Sequence, residues 1–93
     1  MNIVWTDRAL GDLVALHNYI ATNNPRAADD MVRKIVGLVE RQLPSMPESG
    51  RPGRLPGTRE LVVPKTPYFV PYRIAGATIE VVRVIHGARR WPE

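Results

Sequence analysis

Asn23-Asn24-Pro25-Arg26-Ala27-Ala28 is the stretch that decides the fold, because it stops one helix and starts the next. Asn24 suits an N-cap, where its side-chain oxygen can take an orphan N–H of the first turn. Pro25 suits the first helical position, where a missing N–H costs nothing. Upstream, Leu10, Leu13, His17 and Ile20 recur at helical spacing, with Val14 and Ala21 widening the stripe. Thr6 caps that helix and Asp7 places negative charge in its first turn. Downstream, Ala28, Met31, Val32, Ile35, Leu38, Val39 and Leu43 form a second stripe, ended by Pro44. At 1.5 Å per residue the second helix is about 28 Å long. Two helices joined by so short a connector form an antiparallel hairpin.

Outside the hairpin the sequence is β-prone. Met1–Trp5, with Ile3, Val4 and Trp5, reads as a short opening edge strand. After Leu43 the composition changes: seven of the nine prolines lie between Pro44 and Pro71. Pro44–Gly57 reads as an irregular loop carrying Arg51 and Arg54. Arg59–Val63 is a strand, Pro64-Lys65-Thr66-Pro67 a turn, and Tyr68–Ile74 a second strand with a bulge or an edge expected at Pro71. Ala75-Gly76-Ala77 turns the chain into Thr78–His86, the most β-branched stretch. A two-residue loop at Gly76-Ala77 sets Arg73 opposite Glu80. The expected fold is α+β: a short N-terminal strand and an antiparallel helical hairpin packed on an antiparallel sheet with three C-terminal strands. Residues 1–93 make a single domain, with no room for a second core.

Composition narrows the function classes. Hydrophobic residues at 44% and charged residues at 24% describe a globular chain. Cysteine is absent, which removes disulfides, Cys-ligated zinc and thiol nucleophiles. The two histidines, His17 and His86, share no metal spacing, so no metal and no cofactor are expected. No apolar run is long enough for a membrane span, and Met1–Asp7 lacks the pattern of a signal peptide. A soluble, cytoplasmic protein is the expectation. Residues 1–47 balance five basic against five acidic side chains, whereas residues 48–93 carry eight basic against four acidic. The whole net charge of +4 therefore sits in the C-terminal half, and eleven of the thirteen basic residues are arginine. That distribution suits either a solvated basic face or a polyanionic partner, nucleic acid or an acidic protein segment.

Each candidate for chemistry has two readings. His86 ends the last strand beside Arg89 and Arg90, where it could act as general acid or base on a phosphodiester or simply close the strand against backbone. His17 falls on an apolar stripe and is expected to be packed. Arg59, Arg73 and Arg83 on strands could stabilise developing phosphorane charge, or pair internally, Arg73 with Glu80 and Arg59 with a carboxylate. Glu60 is either a base or an arginine's partner. Tyr68, Phe69 and Tyr72 could stack on bases or fill the core. Trp5 and Trp91 read as packing anchors. None of these is specific alone.

Taken together, Trp5-Thr6-x-x-Ala9-x-x-Asp12-Leu13, Tyr19-Ile20, Asn24-Pro25-x-Ala27-Ala28, Gly50-Arg51, Gly57-Thr58-Arg59-Glu60-Leu61, Tyr72-Arg73-Ile74 and Arg83-Val84-Ile85-His86-Gly87-Ala88-Arg89-Arg90-Trp91 resemble the RelE/ParE superfamily of bacterial type II toxins. The resemblance covers nearly the whole chain in order. It implies a helical hairpin on a curved antiparallel sheet, and a growth-arresting toxin neutralised by a cognate antitoxin whose charged tail wraps it.

The superfamily divides at mechanism. RelE-like members cut messenger RNA on the ribosome; the resemblance would then give His86, Arg73 and Arg89 catalytic roles. ParE-like members block DNA gyrase. The lysine cluster of the RelE-type site is missing, with only Lys65 nearby, and Gly87 stands where a tyrosine often follows the histidine. The Asn-Pro-x-Ala-Ala joint and the His-Gly-Ala-Arg-Arg-Trp ending resemble the ParE side. A gyrase inhibitor is therefore the first expectation and a ribosome-dependent endonuclease the second, with a non-toxic nucleic-acid-binding module as the rival class. Arg59, Arg73, Arg83, Arg89 and Arg90 are the expected contacts to antitoxin or target.

Overall fold

The computed structural model describes all residues, 1–93. Chain order is β1 (Asn2–Trp5), α1 (Asp7–Ala21), α2 (Pro25–Gln42), β2 (Arg51–Pro52), β3 (Arg59–Val62), β4 (Tyr68–Ala75), β5 (Thr78–Val81) and β6 (Ile85–His86). Both helix starts form as their caps dictate. Thr6 Oγ1 accepts the Ala9 N–H at 3.1 Å, and Asn24 Oδ1 accepts that of Ala27 at 3.0 Å. The same Thr6 hydroxyl donates to the Val82 carbonyl at 2.9 Å, which ties the start of α1 to the chain just beyond β5. Neither helix is long and apolar enough to cross a membrane.

The sheet has six strands in the order β1-β5-β4-β3-β2, with β6 also paired to β4. It is mixed, whereas the sequence pattern suggests antiparallel pairing throughout. β1 runs parallel to β5, with Val4 beside Glu80. A parallel pair needs a long crossover, and here the helical hairpin and three strands supply it. Along β4, Tyr68, Val70 and Tyr72 turn toward the helices while Phe69, Pro71 and Arg73 turn away. Ile35, Val39 and Leu43 of the hairpin close over Val70, Tyr72 and Ile79, all shielded from solvent. Burial of each such aliphatic side chain contributes about 1.5–3 kcal/mol.

Three expectations change. Thr78–His86 is not one strand but β5 and β6, parted at Val82–Val84. The Pro71 carbonyl accepts both the Val82 and the Arg83 N–H, at 2.8 and 3.4 Å, so two residues face one and the partner strand bulges. Pro71 has no N–H to return, and regular pairing resumes only at Phe69 with Ile85. The Pro44–Gly57 loop contains a two-residue strand, β2, whose Arg51 lies opposite Glu60. In α1 the buried residues are Ala9, Leu13 and Leu16, while Leu10 and Val14 are 47% and 60% exposed. That turn of the stripe brings His17 to the outer groove of the hairpin. It is half-buried and bonded to Asp29 of α2 at 2.6 Å, not packed in the core. The β4–β5 hairpin forms as expected: Gly76 adopts φ 61° in a two-residue loop, and Arg73 faces Glu80.

Candidate functional site

The bulge delivers Arg83 to the inside of the molecule. Only 4% of it is exposed. Its Nε donates to Asp12 Oδ2 at 2.7 Å, its Nη2 to Asp12 Oδ1 at 3.0 Å, and its Nη1 to Glu93. Asp12 Oδ2 also accepts the Val84 N–H at 2.9 Å, and the guanidinium lies 5.6 Å from the Trp91 ring centre. The Asp12 hydrogen bond holds Arg83 protonated, above its ordinary value, against the opposing cost of burial. The Arg83 hydrogen bond in turn holds the Glu93 carboxyl below the usual carboxylate range. Arg83 is thus an internal tie between α1 and the C-terminal segment. Expected from the sequence as a contact to antitoxin or target, Arg83 is almost wholly buried in this structure.

Glu60 is the opposite case, a carboxylate 1% exposed on the sheet face turned from the helices. Arg51 Nε and Nη2 donate to its Oε1 at 3.1 and 2.9 Å, and the Arg54 N–H donates to its Oε2 at 3.1 Å. Both guanidiniums stack over Phe69, at 5.5 and 4.9 Å. With its oxygens so occupied, Glu60 is the arginine's partner. Arg59 bonds the Glu48 and Gly50 carbonyls at 3.1 and 2.9 Å, where a carboxylate is expected. Arg73 pairs with Glu80 at 3.2 Å. Tyr68, Phe69 and Tyr72 are buried, Phe69 and Tyr72 with no open face for a base, and Tyr68 keeps 8% exposure. Trp5 packs on the core.

The remaining candidates meet at one corner. Gly87 N–H donates to the Pro67 carbonyl at 2.6 Å and fixes the chain after β6 against the β3–β4 turn. His86 Nδ1 accepts the Ala88 N–H at 3.0 Å. A backbone amide can only donate, so Nδ1 carries no proton and the neutral ring presents an Nε2–H. The ring meets Tyr68 edge-on, with centroids 5.4 Å apart. His86 and Arg89 line a pocket of about 350 Å³ together with residues of α1. Leu16 and Val84 give it apolar lining, and Tyr19, Tyr68 and Asp12 line it as well. Arg89 and Arg90 are exposed, and neither forms an ion pair. In the sequence, Tyr19 and Asp12 are visible only as parts of the family pattern. Their joining to His86 needs contacts between α1 and β6 that no local signal carries.

With this geometry in view, comparison with known proteins gives a consistent result. Residues 3–91 match the family described as the ParE toxin of the type II toxin–antitoxin system, parDE. The protein Y4kP of Sinorhizobium fredii is 43% identical over 91 residues, covering 98% of this chain and 93% of that one. Toxin RelE2 of Caulobacter vibrioides is 37% identical over 87 residues, covering 94% of this chain and 96% of its own. A chain from the chromosomal ParDE toxin–antitoxin system of Pseudomonas aeruginosa superposes with a TM-score of 0.84 at 31% identity, covering 92% of this chain and 95% of that one. The fold and these likenesses define a RelE/ParE superfamily toxin. The chain belongs to the ParE toxin family of type II toxin–antitoxin systems, and an antitoxin is its implied partner.

Proposed function

We propose that this toxin arrests growth in the bacterial cytoplasm by inhibiting DNA gyrase, not by cutting messenger RNA on the ribosome. The observation that carries this reading is the state of the groups a nuclease would need. Phosphodiester cleavage by a 2′-hydroxyl calls for a base, an acid and rigid cations aimed at developing charge. Here His86 has Nδ1 occupied by the Ala88 N–H. Arg73 is engaged by Glu80, Arg83 by Asp12 and Arg59 by two carbonyls. Glu60 is enclosed by Arg51 and Arg54. Among the candidate arginines, what remains without a partner is Arg89, which lines the pocket, and its neighbour Arg90, an arrangement that suits binding to a macromolecular target better than acid–base chemistry. The match to the ParE family supports the same reading.

The second reading, ribosome-dependent cleavage, draws on His86 and Arg89 sharing one pocket. A paired assay separates the two. Purified toxin is expected to inhibit gyrase supercoiling, with His86→Ala retaining that inhibition within about threefold, and to leave ribosome-bound RNA intact. Cleavage of that RNA, lost by roughly 10²–10⁴-fold in His86→Ala as removal of a general acid or base requires, would overturn the gyrase reading. Tight, salt-dependent nucleic-acid binding with no growth arrest would instead point to the non-toxic binding module.

A further inference from the structure

The polar lining of the corner pocket is uneven in kind. His86 presents Nε2–H, because its Nδ1 is taken by the Ala88 amide. The Arg89 guanidinium is unpaired, its backbone N–H alone being engaged with the His86 carbonyl. The hydroxyls of Tyr19 and Tyr68 have no protein partner, and Tyr19 stands 81% exposed at the rim. Burial and then the neighbouring Tyr19 hold the Tyr68 phenol above its ordinary value, so it remains an O–H donor. The one acid at the pocket, Asp12, has both oxygens filled by Arg83 and the Val84 amide. Residues carrying unpartnered donors therefore line a space whose one acid is already satisfied, and Leu16 and Val84 add apolar lining.

We infer that this pocket is a binding site for a carboxylate carried on an apolar stem, supplied by an acidic residue with an aliphatic neighbour on a bound peptide. The volume of about 350 Å³ falls at the small end of ligand pockets and accommodates one such side chain with its neighbour. Arg89 and the His86 Nε2–H take the carboxylate oxygens, with charge assistance from the guanidinium. The Tyr68 and Tyr19 hydroxyls are placed to share them, while Leu16 and Val84 cover the stem. The site goes beyond the choice between gyrase and ribosome, since it concerns the chemistry this corner recognises and not the process the toxin stops.

The test is a titration of the intact chain followed by ¹H–¹⁵N spectra. The probes are acetyl-Leu-Glu-Leu-amide, its Gln counterpart, butyrate and inorganic phosphate. The Glu peptide is expected to shift the Arg89 side-chain and His86 ring signals together with the Leu16 amide. The Gln peptide should bind at least about tenfold more weakly, the effect of one charge-assisted hydrogen bond. Butyrate should occupy the same site more weakly than the Glu peptide, marking the peptide as the better source of the carboxylate. Arg89→Gln, an exposed change whose spectrum reports folding directly, should lose at least about tenfold for the Glu peptide and leave the Gln peptide nearly unchanged. Equal binding of the Glu and Gln peptides, shifts confined to other surfaces, butyrate outbinding the peptide, or phosphate binding as tightly as the peptide would each overturn the assignment.

Discussion

Arg83 and Glu60 are the two charged side chains this fold buries, one near each end of the sheet, and they are held in opposite senses. Arg83 is a cation enclosed by carboxylates from distant parts of the chain, Asp12 in α1 and Glu93 near the C-terminus. Glu60 is an anion enclosed by arginines from the loop immediately before its strand, Arg51 and Arg54. The first joins the beginning of the chain to its end. The second only staples a proline-rich loop to the nearest strand. Burying one cation and one anion cancels in charge, so the basic surplus of the C-terminal half stays on the surface, with Arg51 and Arg54 half-exposed around Glu60. The location of a charge pair along the chain decides whether it holds a segment or the whole topology together.

That contrast predicts unequal costs of disrupting each cluster. Asp12→Ala leaves Arg83 buried with Glu93 as its sole carboxylate and leaves the Val84 N–H without its acceptor. A loss of about 3–5 kcal/mol in unfolding free energy is expected from urea denaturation. Arg51→Ala leaves Glu60 with the Arg54 amide at 3.1 Å, and Arg51 itself is half-exposed. Its expected cost is about 1–2 kcal/mol. Equal losses would erase the difference between the clusters, because they would mean that Arg83 swings out to water once Asp12 is gone.

Loop and tail are also expected to differ in pH response. At the loop end, the Tyr72 hydroxyl donates to the Pro47 carbonyl at 2.7 Å and accepts the Gly50 N–H at 2.9 Å. Burial pushes its phenol above the ordinary value. The unfolded phenol ionises near pH ~10 while the native one keeps its proton. Stability from this group is therefore whole below pH ~10 and falls as pH rises toward the native value. Tyr72→Phe should cost about 1–3 kcal/mol at neutral pH. It should also show a shallower alkaline fall, the remainder coming from Tyr68, whose phenol is raised as well. At the tail, Glu93 is shifted down by Arg83. Its contribution is present above the ordinary carboxylate range and is lost as pH falls through the lowered native value. Glu93→Gln should flatten the acid limb and leave the alkaline limb unchanged, which unfolding measured across pH would reveal.

The legible parts of this molecule are those whose cause is local. Caps at Thr6 and Asn24, the stop at Pro44, the two-residue loop at Gly76 and the resulting Arg73–Glu80 register each depend on a few adjacent residues. The features that escape the pattern are set from far away. The parallel pairing of β1 with β5 and the inward turn of Arg83 depend on contacts between the two ends of the chain. Periodicity misplaces Leu10 and Val14 because it gives the width of an apolar stripe but not its phase against the sheet. His86 is legible as a residue at a strand end. Its proton position is not, since that depends on the turn bringing the Ala88 amide back onto Nδ1.

The smallest effect is expected from the pair that is easiest to foresee. Arg73 and Glu80 lie directly opposite on β4 and β5, 3.2 Å apart, with side chains 50% and 40% exposed. Water and salt screen such a pair, and holding two long side chains together costs entropy, so its coupling is about 0–1 kcal/mol. A double-mutant cycle with Arg73→Ala and Glu80→Ala should return a value in that range. The coupling should shrink further between about 0.1 M and about 1 M salt, as the screening length shortens. The same salt change should leave the cost of Asp12→Ala nearly constant, because Arg83 and Asp12 are shielded from solvent ions. A coupling above about 2 kcal/mol for Arg73 and Glu80 would mean that the open face of the sheet is less solvated than its exposure indicates. The distinction between the buried charges and the exposed pair would then lose its physical basis.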